Sequence, residues 1–542
     1  MTDYDSTYRS FQWEVPQLFN FARDTFDRHA NATPQRRAML WVDETGHVRD
    51  LSFGYFAEQS RRFAAALTQR GVTRGSTVLL LLPRLTAWWE SILGCLRAGL
   101  IASPGTIQLT AEDLAYRLEA AEIAAVVTDA ENAPKVDEAL SQSGHAVRAK
   151  LLCGGQREGW ESYDQVLEQA PAIFEAADTH ADDPAMLFFT SGTTGKPKMA
   201  LHTQASYGIG HYVTGYFWLD LTPDDLHWNL SDTGWAKAGW SSFFGPWTIG
   251  AAVFVQHAAR FSSKETLQLL ATYPITTFCG APTNYRMLIQ EDLSQYRFPH
   301  LRHCVAAGEP LNPEVINVWK EATGLTIRDG FGQTETVLVC GNLPCFEVKP
   351  GSMGKPMPGF VVSTIDEEGR ELPPGQEGDI AIRVRPQRPV GLFKAYWKEP
   401  ERTAACYRGD WYLTGDRGMR DEDGYLWFVG RSDDVILSSA YRIGPFEIES
   451  VLLEHPAVAE SAVVASPDPL RGNIVKAFVV LTEGYTPSEA LVKELQQFVQ
   501  QKTAPYKYPR EIEFIDELPK TVSGKIRRVE LRERELHKKA QA

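Results

Sequence analysis

The stretch Met186-Leu-Phe-Phe-Thr190-Ser-Gly-Thr-Thr-Gly-Lys-Pro-Lys198 decides the fold, because an apolar run of strand character passes directly into a loop with four hydroxyls, two glycines and two lysines. Glycine lets a backbone approach a ligand closely, hydroxyls and main-chain N–H groups ligate phosphate oxygens, and lysines add positive charge. In composition the loop is a phosphate cradle. It is not a Walker-type loop, since Gly192 and Gly195 are separated by two residues rather than four and Pro197 follows Lys196. The bland alternative, a solvated turn, has to explain all eight of these groups within nine positions.

Working outward, Ser52 stands where an N-cap belongs. Phe56, Phe63 and Leu67 recur at helical spacing, the apolar run 78–82 reads as a strand, and a further helix starts near Trp88. Helix alternating with strand predicts parallel α/β layers. Toward the other end, residues 430–445 mix glycine, serine and paired aspartates between two apolar-patterned regions, which places a domain boundary there and divides the chain into 1–432 and 433–542. Beyond it the pattern predicts helix (447–453), strand (458–465), strand (475–481), helix, strand (512–515) and helix. Leu491, Leu495 and Phe498 fall on one face of the middle helix and Ser488 is its cap. The expected class is α/β, a large N-terminal domain of layered α/β subdomains followed by a small α+β C-terminal domain.

The totals exclude several function classes. At 542 residues the chain exceeds one ordinary core, and its 43% hydrophobic and 23% charged content is that of a globular protein. Seven cysteines, scattered and with no C-x-x-C pair, argue against a disulfide framework or a thiolate zinc site and point to a reducing, cytoplasmic compartment. The N-terminus carries Asp3 and Asp5 and resembles neither a secretory signal nor an Arg-rich transit peptide. No run of about 20 apolar residues exists, so no membrane span is expected. A net charge of −14 disfavours a nucleic-acid partner. The charge is uneven, however, for residues 502–542 hold 11 basic and 7 acidic side chains. Such an end suits an anionic small ligand, and a solvated helix face explains it equally well from charge alone.

Three further segments gain meaning beside the phosphate loop: Phe331-Gly-Gln-Thr-Glu335, Tyr412-Leu-Thr-Gly-Asp416 and Pro519-Lys-Thr-Val-Ser-Gly-Lys525, with Gly430-Arg-Ser-Asp-Asp434 between the last two. Each alone reads as a turn or a cap. In this order they make the chain resemble, over nearly its full length, the adenylate-forming superfamily of acyl-CoA synthetases, luciferases and peptide-synthetase adenylation domains. Asp232-Thr-Gly-Trp235, Ser438-Ser-Ala-Tyr-Arg-Ile-Gly444, Ser466-Pro-Asp-Pro-Leu-Arg-Gly472 and Ala504-Pro-Tyr-Lys-Tyr-Pro-Arg510 look like its medium-chain acyl-CoA synthetases (acid–thiol ligases).

The resemblance implies the acyl-adenylate synthetase fold, with a mobile small domain, and a reaction in two halves. A carboxylic acid and ATP give acyl-AMP and pyrophosphate, and coenzyme A then takes the acyl group and releases AMP. By similarity the ATP site comprises Thr190, Ser191, Gly192, Thr193, Thr194, Gly195, Lys196 and Lys198, then Gly308, Glu309 and Pro310. Asp329, Gly330, Phe331, Gly332 and Gln333 follow, with Asp416 on the ribose and Arg431 nearby. Thr334 would touch the α-phosphate, and Glu335 would place Mg2+, the usual reason for a carboxylate beside phosphates. Two anions must meet at the α-phosphorus, so positive charge is needed there. Lys525 is the catalytic residue the resemblance assigns to that step, with Arg442 the corresponding residue of the loop that replaces it. Asp433 would be the hinge, and Ser439, Ala440, Tyr441, Arg471, Tyr508, Pro509 and Arg510 would meet coenzyme A.

Acyl choice is read from Trp235, Gly280, Gly308, Gly332 and Val337 as pocket walls. Acetate-activating relatives carry tryptophan at the position of Gly332, so glycine implies room for a longer chain or a ring, while Val337, in place of a frequent glycine, shortens it again. Medium-chain fatty or aromatic acids fit. The partners implied are small molecules, the acid, ATP and coenzyme A, and a homo-oligomer is compatible with the sequence. Two rival readings stand beside this one: an adenylating enzyme that loads a carrier protein, and a catalytically silent ATP or acyl-CoA sensor.

Overall fold

The structure, a computed structural model, describes residues 1–190, 196–432, 434–438, 441–468, 471–504, 506–520 and 526–540. Two large mixed sheets make the body. In the first, the strands Thr77–Leu81, Ile101–Pro104, Ile123–Asp129 and Ala149–Cys153 run parallel, and Pro184–Thr190 joins them beside Ile101–Pro104. Every residue of Thr77–Leu81 is buried, as expected for a parallel strand covered on both faces. The helix Thr86–Ala98 lies over this layer and the helix Phe53–Gln69 packs on it, capped by Ser52, which accepts from the Tyr55 N–H.

The second sheet has nine strands. Arg37–Asp43, Leu226–Asn229, Ala252–His257, Thr277–Gly280, His303–Ala307 and Ile327–Gly332 are its parallel members. Leu226–Asn229 has the strand that follows it on one side and Thr277–Gly280 on the other, so the winding reverses there. Crevices beyond the carboxyl ends of strands at such a reversal are where open α/β sheets bind ligands. A third, antiparallel sheet of five strands contains Trp411–Arg420 and Leu426–Arg431, with Asp416 directly opposite Arg431. One hydrophobic cluster runs from Phe19 to Leu426 through all three sheets, with Trp88, Trp218 and Trp247 essentially inaccessible, so the sheets share one large core, and separate clusters lie on their other faces.

Beyond it come the helix Pro445–Leu453, strands Val458–Asp468 and Gly472–Leu481, helix Glu489–Lys502, strand Glu511–Phe514 and helix Arg528–Ala540. Type and order agree with the sequence pattern. This segment has hydrophobic clusters of its own, drawn only from residues between Ile436 and Leu531. Ser488 caps its helix through the Leu491 N–H, but the buried stripe is Leu491, Leu495 and Val499. Phe498 instead meets the ring of His455 edge-on at 5.0 Å, and Val499, four residues after Leu495, takes the place on the buried face. The bodies touch where Asn312 Nδ2 donates to Ser450 Oγ at 3.0 Å.

The basic excess near the C-terminus is largely consumed internally. Lys538 and Arg534 reach Glu513, Lys539 reaches Glu511, Lys520 reaches Glu460, Arg532 pairs with Asp434, and Arg528 lies 2.6 Å from the buried Glu449. Sequence counting cannot see these pairs, because each joins residues far apart along the chain. The solvated and paired helix face is the better account of that charge.

Candidate active site

Two of the motif segments, the one beginning at Gly308 and the turn after Gly332, follow the carboxyl ends of the second sheet's parallel strands. Gly308 follows His303–Ala307 there with φ +110, and a Cβ built on it would have no atom within 4 Å. It borders open space. Beside it, Lys237 Nζ donates to the carbonyls of Gly280 at 2.9 Å and Ala307 at 2.7 Å, clamping two adjacent strand ends together. Lys237 sits on the short helix Ala236–Gly239, for which Trp235 is the N-terminal cap residue. Glu309 turns away from the space toward the helix Pro282–Leu288, where it meets Thr283 Oγ1 and lies 3.2 Å from Arg286. Burial pushes its carboxyl up, but Arg286 and the Thr283 donors outweigh that and hold it below the usual range. Asp329 is also buried, and there burial wins and raises its carboxyl well above the ordinary value. Gly330 beside it is packed under Trp218.

The turn after Ile327–Gly332 is the hub. Gln333 Nε2 donates to the Thr414 carbonyl and to Asp416 Oδ2, both at 2.8 Å, and Arg431 Nη1 reaches Asp416 Oδ1 at 3.2 Å. Asp416 is 4% exposed, so this carboxylate is held from two sides on an interior strand of the third sheet. Thr334 is pinned through its carbonyl, which accepts from His202 Nε2 at 2.7 Å. His202 is inaccessible, and burial lowers its pKa to about 3, so it stays neutral with Nδ1 facing Ser206 Oγ at 3.1 Å. Glu335 Oε1 accepts from the Tyr396 hydroxyl at 2.6 Å. Phe331, half-buried, lies opposite Cys340 on the neighbouring strand.

Of the phosphate loop, Ser191, Gly192, Thr193, Thr194 and Gly195 lie outside the described residues, but its two ends are set. Thr190 pairs with Lys198 across antiparallel strands, Lys196 Nζ stands 4.9 Å over the Tyr116 ring, and Lys198 Nζ stands 5.2 Å over that of Tyr396. Both ammonium groups therefore rest on aromatic faces.

The acyl-wall residues divide. Gly332 has no spare room beside it, since a Cβ there would stand 2.5 Å from the Val337 carbonyl and 2.7 Å from the Trp240 ring. The Trp240 ring fills the space beside this expected wall residue. Its Nε1 donates to the Tyr207 hydroxyl at 3.1 Å, and the Tyr207 ring lies 3.9 Å from that of His202. Gly280 is backed by Tyr285, and Val337 is fully buried with its methyls against Gly391. Trp240, Tyr207, His202, Lys237 and Tyr396 belong to no sequence motif. The only signal among them is a lone lysine in the apolar run Trp235–Trp240.

Of the residues expected at the hinge, at the adenylation step or at coenzyme A, Lys525, Asp433, Ser439 and Ala440 lie outside the described residues, as does the side chain of Arg442, whose backbone is in the strand Tyr441–Ile443. Tyr441 is 47% exposed and stacks on Tyr506, centroids 4.1 Å apart. Arg510 lies over the Tyr508 ring and donates to its hydroxyl at 3.3 Å, Pro509 accepts from Gln496, and Arg471 is exposed with its N–H on Asp468.

Comparison with known proteins gives this geometry its context. Residues 26–397 match the AMP-binding enzyme family model and residues 447–525 match the AMP-binding enzyme C-terminal domain. The chain is 51% identical to acyl-coenzyme A synthetase ACSM3, mitochondrial, of Mus musculus, over 98% of this chain and 93% of that one. It belongs to the adenylate-forming medium-chain acyl-CoA synthetase family. Among solved structures, an anthranilate CoA ligase, AuaEII, in complex with anthranoyl-AMP superposes with a TM-score of 0.89 at 30% identity, covering 97% of this chain and 99% of that one. A benzoate CoA ligase from Burkholderia xenovorans superposes with 0.84 at 30% identity, covering 95% and 100%. As an acyl-CoA synthetase of this family the chain is an AMP-forming ligase that uses ATP to join a small carboxylic acid to coenzyme A. No helix among the described residues is long and apolar enough to cross a membrane.

Proposed function

We propose that this synthetase activates medium-chain fatty or aromatic acids, and that it does so by swinging a lobe of residues 433–542 about Asp433 against a body of residues 1–432. The observation that carries the reading is the hub at Gln333–Glu335, where one turn is tied to Asp416, to His202 and, through Tyr396, to Lys198. Groups suited to ribose, α-phosphate and outer phosphates are thereby tied to one turn, and Gly308 nearby in the same sheet borders open space, which supports the reading. Trp235 and Trp240 supply the flat apolar surface that an alkyl chain or an aromatic ring requires.

In the first half-reaction a carboxylate oxygen of the acid attacks the α-phosphorus, the bond to the bridging oxygen breaks, and pyrophosphate leaves. Lys196, Lys198 and the loop hydroxyls hold the departing phosphates, Asp416 accepts from the ribose hydroxyls, and Lys525 neutralises charge between carboxylate and α-phosphate as they converge. Glu335 suits Mg2+, which is commonly held by one or two carboxylates with phosphate oxygens and water. Bound there, it would offset charge on the departing pyrophosphate. In the second half-reaction the coenzyme A thiolate attacks the acyl carbonyl and AMP departs. That needs another set of groups in place of Lys525, which lobe movement brings from residues 439–442. The exposed Tyr441–Tyr506 pair, Arg471, Tyr508, Pro509 and Arg510 are our choice for coenzyme A contacts.

Seven free cysteines support a reducing compartment, which in our reading is the cytoplasm; the curated relatives carry a mitochondrial name, the cysteines suit either compartment, and imaging a tagged chain decides. Self-association is read by ultracentrifugation. Acyl-CoA formation measured by mass spectrometry across fatty acids from acetate to palmitate, and across substituted benzoates, tests the substrate reading. The expected maximum lies between butyrate and octanoate or on a benzoate; a maximum at acetate or palmitate refutes it.

A further inference from the structure

Tyr396 belongs to none of the motifs, yet it touches two of them. It ends the short strand Ala395–Tyr396, which pairs antiparallel with Lys198–Thr203 so that Tyr396 lies opposite Ala200. Lys198 is two residues from Ala200, and side chains two apart on a strand leave on the same face. That is why the Lys198 ammonium stands over the Tyr396 ring. From the rim of the same ring, the hydroxyl donates to Glu335 Oε1.

The ring has little freedom to drift. It is 4% exposed, the Phe393 ring meets it edge-on at 4.9 Å, and its own N–H donates to Thr403 Oγ1 at 2.9 Å. The backbone around it is stitched on both sides, with Phe393 N–H donating to the Glu335 carbonyl at 2.7 Å and Trp397 N–H to the Met199 carbonyl at 2.8 Å. One short stretch thus fixes the distance between the strand that carries Lys198 and the turn that carries Glu335.

This arrangement answers a problem of the chemistry. A site for ATP with a divalent cation needs an ammonium and a carboxylate near the same phosphates, and two such groups left to themselves close into an ion pair that serves neither ligand. Here the aromatic face takes the ammonium, the hydroxyl takes one carboxylate oxygen, and Oε2 is left for a cation. We propose that Tyr396 is a positioning residue that holds Lys198 and Glu335 apart, so that both charges stay available to the nucleotide and its divalent cation. This rests on the reading of Glu335 as the metal-placing carboxylate and Lys198 as a phosphate ligand.

Tyr396→Phe keeps the face under Lys198 and deletes only the hydroxyl, whereas Tyr396→Leu deletes both. Calorimetric titration with ATP, with and without Mg2+, is the direct measurement. For Tyr396→Phe, metal-free ATP affinity stays within about twofold of native while affinity for ATP with Mg2+ falls about tenfold, the scale on which partners behind a metal ligand act. In turnover, the Mg2+ concentration for half-maximal rate rises by a similar factor, and kcat at saturating Mg2+ falls less than that. Tyr396→Leu weakens both forms of ATP. Equal loss with and without Mg2+ in Tyr396→Phe, or an unchanged Mg2+ requirement, overturns the proposal. Glu335→Gln separates the two levels of inference: if it raises the Mg2+ requirement and Tyr396→Phe does not, the role of Tyr396 alone falls, and if it leaves the requirement unchanged, the reading of Glu335 falls and takes the proposal with it.

Discussion

Replacing Trp240 with alanine lengthens the acyl chain this synthetase prefers. The edge of the Trp240 ring stands 2.7 Å from where a Cβ on Gly332 would be, so the indole occupies the room that glycine at 332 was expected to leave open. Each methylene admitted into the vacated space gains about 0.8 kcal/mol of burial, or about fourfold in kcat/KM. Two methylenes give about 15-fold, so the ratio of kcat/KM for decanoate over octanoate is expected to rise by roughly that factor. Stability falls as well, because removing a buried tryptophan costs about 3–5 kcal/mol and the Tyr207 hydroxyl loses its donor. The assay, pyrophosphate release across a series of fatty acids, is therefore run well below the measured Tm, with Trp240→Phe as a milder companion that shifts the profile in the same direction. Gly332→Ala is the counterpart: its methyl meets the Val337 carbonyl at 2.5 Å, a backbone contact, so it costs about 1–3 kcal/mol of stability. The reasoning fails if both Trp240 variants lose stability yet keep the native chain-length profile, since the indole would then be ordinary core.

Lys525→Ala is expected to lower acid-dependent pyrophosphate release by about 10²–10³ while retaining much of the conversion of supplied acyl-adenylate to thioester. Equal loss in both assays removes the case for an alternating lobe. Acid is expected to destabilise the body before most carboxylates titrate. His202 and His227 are held by burial near a pKa of about 3 against an ordinary 6.5, so below pH 6.5 the unfolded chain binds protons that the folded one refuses. Stability then drops by about 1.4 kcal/mol per pH unit for each histidine, or about 3 kcal/mol for the pair between pH 7.5 and 5.5. Urea midpoints at those two values read it, and a flat or rising midpoint on acidification contradicts it.

Patterns short along the chain were legible before any fold was known. Ser52 and Ser488 cap the helices expected of them, and the run at 78–82 is a buried parallel strand. The order of elements after the glycine- and serine-rich segment also agrees with expectation. These features depend on neighbours within a turn or on alternation within a strand, and the motifs are equally local, so sequence alone determines the α/β class and the adenylate-forming chemistry. Tertiary structure alone decides which side chains stand behind those motifs. His202 reaches Thr334 across 132 residues and Tyr396 reaches Glu335 across 61, while Trp240 fills the space beside Gly332. The basic tail, likewise, proves to be paired with acids as distant as Glu449 and Glu460. Such contacts depend on which strands lie side by side and how far each helix is turned. Local spacing along a chain carries no record of that, because the pairing energy appears only once distant segments share one core.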